Sequence, residues 1–266
     1  MKPKLVFVIP VFLLISIAGC QLLLTQPVSS HLTMGNPSNA GENPNNYLMI
    51  KPQYALSYNR ERGTANWVAW QLNQSWLGNI ERQNDFRPDD SLPSNWYRVK
   101  PSDYSRSGYD RGHIVPSADR TAKIQDNSAT FLMTNIIPQT AENNRGAWRE
   151  LEEYCRSLIR QGKELYIIAG VDGNSRKIGK NKQVTAPQFT WKVIVVLDKP
   201  AQGIAGISQN TRVIAVNVTN RQNTSDDWKR YLVSVDELEA KTGYNFLSRV
   251  PESIQQVIES RVDKNR

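Results

Sequence analysis

The chain has 266 residues, 39% of them hydrophobic, with two cysteines and a formal charge of +8. Two cysteines exclude a disulfide framework, so stability must come from a core, and this length is enough for a single sizeable one. An excess of 33 Lys and Arg over 25 Asp and Glu suits a polyanionic partner, but many exported proteins are basic without touching nucleic acid, so charge alone names no function.

Lys2 and Lys4 form a short basic leader, and an apolar run follows from Leu5 to Ala18, broken only by Pro10 and Ser16. The run is too short and too early for a spanning helix. It reads as a signal peptide over residues 1–20, which places the mature chain outside the cytoplasm, extracellular or periplasmic. Ile17-Ala18-Gly19-Cys20 resembles the bacterial lipoprotein cleavage site, which would make Cys20 a lipid anchor; an ordinary secretory cut nearby is the alternative. Residues 21–45, rich in Pro, Ser, Asn and Gly, read as a tether or surface arm. That leaves 46–266 as a single domain, in which Cys155 is a lone structural thiol buried on a helix.

Apolar and β-branched runs at Tyr47 to Tyr58, Trp67 to Leu72, Thr130 to Ile137, Leu165 to Ala169, Trp191 to Leu197 and Arg212 to Val218 predict strands. A helix is predicted from about Asn144 to Arg160, because Ala147, Leu151, Tyr154, Cys155 and Leu158 recur on one face. Val235 to Ala240 predicts a short helix stopped at Gly243, and Ile254 to Val262 has helical apolar spacing. The fold class is α+β with a largely antiparallel sheet. Most of the seven tryptophans belong to the core; Trp148, on the polar flank of the central helix, is the one positioned to touch a substrate base.

Two features carry chemistry. Asn144, Trp148, Glu152 and Arg156 are each four apart and form a row along the predicted helix. Upstream lies Tyr109-Asp110-Arg111-Gly112-His113, containing one of the two histidines. An imidazole flanked by a carboxylate, a guanidinium and a glycine puts a proton acceptor and a phosphate-binding cation on one tightly turned segment. With the other histidine, His31, in the expected arm and no histidine-rich pattern, a zinc enzyme is disfavoured. No Gly-x-Ser-x-Gly elbow supports a serine esterase.

The Asp110-Arg111-Gly112-His113 stretch followed by an asparagine-bearing helix resembles the signature of the DNA/RNA non-specific endonucleases. The likeness extends to Asn46 to Tyr58, Asn66 to Trp70 and Phe131 to Gln139, which are similar to the secreted cyanobacterial branch, and covers about residue 31 to the C-terminus. The resemblance implies a ββα-metal (His-Me) finger built into a central antiparallel sheet of about six strands flanked by helices. Position by position, it implies His113 as general base, Asn144 as metal ligand and Glu152 as the carboxylate that orients water on the metal. Arg82, Arg111 and Arg156 match phosphate-holding positions, Asp110 matches the motif, and Asn135 and Gln139 resemble supporting polar positions.

The implied reaction is Mg2+-dependent hydrolysis of DNA and RNA, with Mn2+ able to substitute, leaving 5′-phosphates. Chemistry explains the residue types: a phosphodiester repels hydroxide, so cleavage needs an activated water and neutralised charge on the phosphoryl oxygens. A neutral imidazole with a pKa near ~6.5 is a base at working pH, and a hard ion prefers oxygen ligands and keeps much of its water. Contacts confined to phosphates and sugars carry little sequence information, which fits broad substrate use. A dedicated protein inhibitor, and either a monomer or a homodimer, are compatible with the resemblance.

Overall fold

The structure, a computed structural model, describes residues 29–264. The expected signal peptide, Cys20 and the first part of the expected arm lie outside the described residues. The elements run β1 (Tyr47–Ile50), β2 (Ala55–Asn59), β3 (Thr64–Leu72), β4 (Asp110–His113), α1 (Ile124–Ala129), β5 (Ile136–Gln139), α2 (Ala141–Arg145), α3 (Ala147–Arg160) and β6 (Glu164–Asp172). They continue with β7 (Lys177–Ile178), β8 (Val184–Thr185), β9 (Phe189–Leu197), β10 (Arg212–Thr219), β11 (Leu232–Val233), α4 (Val235–Thr242) and α5 (Glu252–Ile258).

A seven-stranded antiparallel sheet, ordered β1-β2-β3-β6-β9-β10-β11, forms the middle layer. Successive side chains on a strand point to opposite faces. Leu165, Ile167 and Ala169 on β6 therefore pack toward α3, while Tyr166 and Ile168 pack toward α4 and α5. Covering both faces explains why the central strands read as continuous apolar runs rather than alternating ones. The expected strand from Tyr47 to Tyr58 is in fact the β1–β2 hairpin, turned at Lys51 to Tyr54 by a backbone hydrogen bond of 2.9 Å.

Helix α3 buries Ala147, Trp148, Leu151, Cys155, Leu158 and Ile159. Each buried Leu or Ile contributes about 1.5–3 kcal/mol, well above the ~0.7 kcal/mol spread of helix propensities, so packing holds this helix in place. Cys155 is a buried free thiol in that face, as its helical position predicts. Helix α4 starts at Ser234, whose hydroxyl accepts from the Glu237 amide at 3.1 Å, and stops at Gly243, whose φ of 72° few other residues adopt.

The described part of the expected arm is packed against the sheet. Leu32, Met34 and Ala40 join the second core cluster, and Ser38 accepts a hydrogen bond from the Trp67 indole at 2.8 Å. His31 is buried between the Pro52 carbonyl (2.9 Å) and the Gln71 amide (3.2 Å). Leu32, Met34 and Ala40 are thus packed core residues rather than parts of a free arm, because polar loop composition does not reveal two or three apolar anchors that fit a sheet face.

Candidate active site

Strands β4 and β5 pair antiparallel outside the main sheet, with Asp110 opposite Gln139 and His113 opposite Ile136. With α2 and α3 they form the ββα finger. Gly112 is needed in β4 because a Cβ there would fall on the Gln139 side chain. Asn135, just before β5, clamps the backbone beyond His113: its Nδ2 donates to Val115 and Thr130 carbonyls, both at 2.9 Å, and its Oδ1 accepts from the Val115 amide at 3.0 Å. Residues 130–135 accordingly form a turn rather than the predicted strand, with β5 confined to Ile136–Gln139.

His113 is buried between Phe131, edge-on at 4.8 Å, and Phe86, tilted at 5.3 Å. Its Nε2 is buried without a hydrogen-bond partner. Burial, and then the charges of Arg82 and Arg111, push the imidazole down to about 3. Those two guanidiniums lie on the outer rings of the same stack, Arg82 at 4.8 Å from the Phe131 centroid and Arg111 at 4.3 Å from that of Phe86. The arrangement keeps the ring neutral at working pH beside two cations, and a neutral imidazole has one ring nitrogen that accepts a proton.

Asn144 does not belong to the long helix. The predicted helix breaks at Gly146 into α2 and α3, where a Cβ would meet the Glu142 carbonyl and the Asp226 carboxylate. The four-residue row is therefore interrupted at its first member. The Asn144 Nδ2 donates to Asp110 Oδ2 at 2.9 Å, while Arg145 donates to both Asp110 oxygens at 2.8 and 2.7 Å. Partial burial raises the Asp110 carboxyl, but the bonds from Arg145 and Asn144 outweigh it and hold the group below the usual carboxylate range. Asp110 thus positions Asn144, and the Asn144 carbonyl oxygen is left available for a hard cation. Arg82, Arg111, Asp110, Asn144 and Arg145 line a cleft of about 440 Å³.

Glu152 and Arg156 belong to a neighbouring, more deeply set group of charges. Arg156 pairs with buried Asp119 at 3.0 Å, and Asp119 also accepts from the Trp70 indole at 3.0 Å. Lys192, 1% exposed on the α3-facing side of β9, lies 4.0 Å from Glu152 and 4.0 Å from the Trp148 ring centroid. Burial pushes the Glu152 carboxyl up to about 7; Asp119 adds to this, while Lys192, Arg156 and Arg82 oppose it. Arg82 links this group to the cleft, since it bears on Glu152 electrostatically and donates to Ser117 at 2.8 Å.

Residues 31–253 match the family model described as DNA/RNA non-specific endonuclease. The chain belongs to this endonuclease family. It is 62% identical to the Nuclease of a Nostoc species over 243 residues, 90% of this chain and 88% of that protein. It is 30% identical to human mitochondrial Endonuclease G over 217 residues, covering 76% and 70% of the two chains. The crystal structure of the EndoG/EndoGI complex shares its fold at a TM-score of 0.71 and 24% identity, covering 84% of this chain and 92% of that one.

Within this endonuclease, the structure gathers His113, Arg82, Arg111, Asp110 and Asn144 around or beside the cleft and sets Glu152 and Arg156 behind Arg82. Trp148 is not exposed to substrate: it is 1% exposed and donates its indole N–H to the His113 carbonyl at 3.2 Å, tying α3 to β4. Gln139 is a buried prop whose amide donates to Asn143. Sequence reasoning missed Arg145, Asp119 and Lys192. Only Lys192 left a trace, as a lone charge inside the apolar run Trp191 to Leu197.

Proposed function

We propose that the protein is an exported, sugar-non-specific endonuclease that hydrolyses phosphodiesters of single- and double-stranded DNA and RNA to 5′-phosphate ends. His113 is its general base, and Asn144 holds one Mg2+, for which Mn2+ can substitute. The observation that carries this reading is the neutral imidazole of His113 on the Asp110–His113 strand, flanked by Arg82 and Arg111 beside the cleft that Asn144 lines. The residues fit a hard ion, because Asp110 occupies the Asn144 amide and leaves its carbonyl oxygen as donor. When bound, such an ion supplies positive charge for the phosphoryl and departing oxygens.

The chain's own groups perform the rest. Arg111 and Arg82 hold the phosphate at the cleft. The neutral His113 imidazole takes a proton from the water whose oxygen bonds to phosphorus. The bond from phosphorus to the 3′ oxygen breaks, that oxygen takes a proton from solvent water to become the 3′-hydroxyl, and the phosphate stays on the 5′ side. Glu152, lifted to about 7 by burial against the opposing charges of Lys192, Arg156 and Arg82, accepts hydrogen bonds from water at the rear of the site in its ionised form.

Export rests on the leader at residues 1–20, with a lipid anchor on Cys20 as its membrane-bound form. A protein inhibitor docking on this enzyme belongs to the same proposal, supported by the EndoG neighbour being a complex that concerns EndoG inhibition. Supercoiled plasmid, single-stranded DNA and RNA incubated with the protein in Mg2+ or in EDTA test the activity. All three substrates are cut in Mg2+ and none in EDTA; binding without cleavage, or cleavage that survives EDTA, overturns the reading.

A further inference from the structure

On the other face of the sheet, three carboxylates meet. Asp236 and Glu239 stand three residues apart on α4, which puts both on one helical face, and Glu259 caps the C-terminus of α5. Each brings an oxygen within 4.8 Å of the other two. Glu259 is 5% exposed, and its Oε1 is buried with no hydrogen-bond partner. Glu239 is aimed by the Phe246 amide, which donates to its Oε1 at 2.8 Å, and the Asp236 amide donates to the Glu259 carbonyl at 3.2 Å. Among the described residues none of the three carboxylates is in an ion pair.

Such a cluster cannot stay fully ionised and bare. Burial, reinforced by Glu239 and Asp236, pushes the Glu259 carboxyl up to about 7, the response of a group that lacks a positive neighbour. A proton on Glu259 removes one charge but leaves Asp236 and Glu239 side by side. A divalent cation satisfies all three. The donors are all hard oxygens, with no imidazole or thiolate, and their spacing suits the ~2.3–2.6 Å bonds and adaptable geometry of calcium, with water completing the shell. We propose that Asp236, Glu239 and Glu259 form a calcium site that clamps α5 to α4, separate from the ion held by Asn144. An exported protein meets calcium at the ~10⁻⁴–10⁻³ M at which extracellular modules bind it.

The test compares the chain carrying Asn144→Ala, which removes the cleft's ion ligand, with the same chain also carrying Asp236→Asn and Glu239→Gln. Calorimetric titration with calcium chloride gives one site in the first protein and none in the second. At about 100 times the Kd, calcium raises the unfolding midpoint of the first by roughly 5–10 °C relative to EGTA and leaves the second unmoved. Because Asp236 is exposed, Asp236→Asn alone folds and weakens calcium binding if the multiple variant does not fold. No calcium heat in the first protein, or an equal midpoint rise in both, overturns the site. So does Glu259→Gln that leaves the calcium shift intact, which would mean a protonated Glu259 explains the cluster.

Discussion

Asp110 holds Asn144 by a hydrogen bond of 2.9 Å across the finger, strand to helix. Because a carboxylate can only accept, this bond turns the amide nitrogen toward Asp110 and fixes which Asn144 atom is free to meet a cation. Asp110→Asn removes that choice, since two amides can pair in either sense. The expected result is a 10- to 100-fold higher magnesium requirement, read from a metal titration of plasmid cleavage, with the fold retained. An unchanged titration would detach Asp110 from the metal site.

His113→Ala removes the proposed base while Arg82, Arg111 and Asn144 stay in place. Turnover is expected to fall by roughly 10²–10⁴, with substrate affinity and the unfolding midpoint close to wild type. Residual activity near the wild-type rate would transfer the proton to another acceptor.

Lys192 opposes the burial that lifts Glu152 to about 7. Lys192→Met keeps a linear side chain between Trp70 and Trp148 but deletes the charge, so the Glu152 carboxyl rises further. The ionised fraction at pH 7 then drops, and activity lost at pH 7 returns toward pH 9. The pH–rate profile checks this: an acid limb moved upward is the expected signature, and superimposed profiles would limit Lys192 to packing.

At the α2–α3 junction, Gly146 leaves no room for a side chain between the Glu142 carbonyl and Asp226. Gly146→Ala is expected to cost about 1–3 kcal/mol by overpacking and, by shifting α2, to raise the magnesium requirement as well. Urea unfolding and a metal titration measure the two effects; a stable variant with normal metal response would show that the junction can give.

His31 offers a pH test away from the cleft. Burial pushes it down to about 4, the Pro52 carbonyl pulls the other way, and Arg120 adds to the lowering. The unfolded histidine titrates near ~6.5, so between that value and about 4 the unfolded chain binds the extra proton. This contribution is present in full above pH ~6.5 and is lost as pH falls toward 4, on the order of 3 kcal/mol. His31→Gln should flatten the fall in urea midpoint between pH 7.5 and 4.5. Parallel curves for the two proteins would contradict the assignment.

By itself the amino-acid sequence determined what depends on near neighbours. The amphipathic register of α3, the stop at Gly243, the central strand runs and the Asp110 to His113 motif are all local, because apolar period and turn chemistry act over a few residues. Tertiary structure alone decided where those pieces meet. Residues 119, 152 and 192 are far apart in the chain, and only folding brings their charges under one helix and sets the ionisation of Glu152. The same holds for the break at Gly146, which depends on Asp226, for Trp148, whose indole is spent on the His113 carbonyl, and for His31, buried by a sheet formed from later segments. Burial and long-range charge are properties of assembled surfaces, so they become readable only once the layers are in contact.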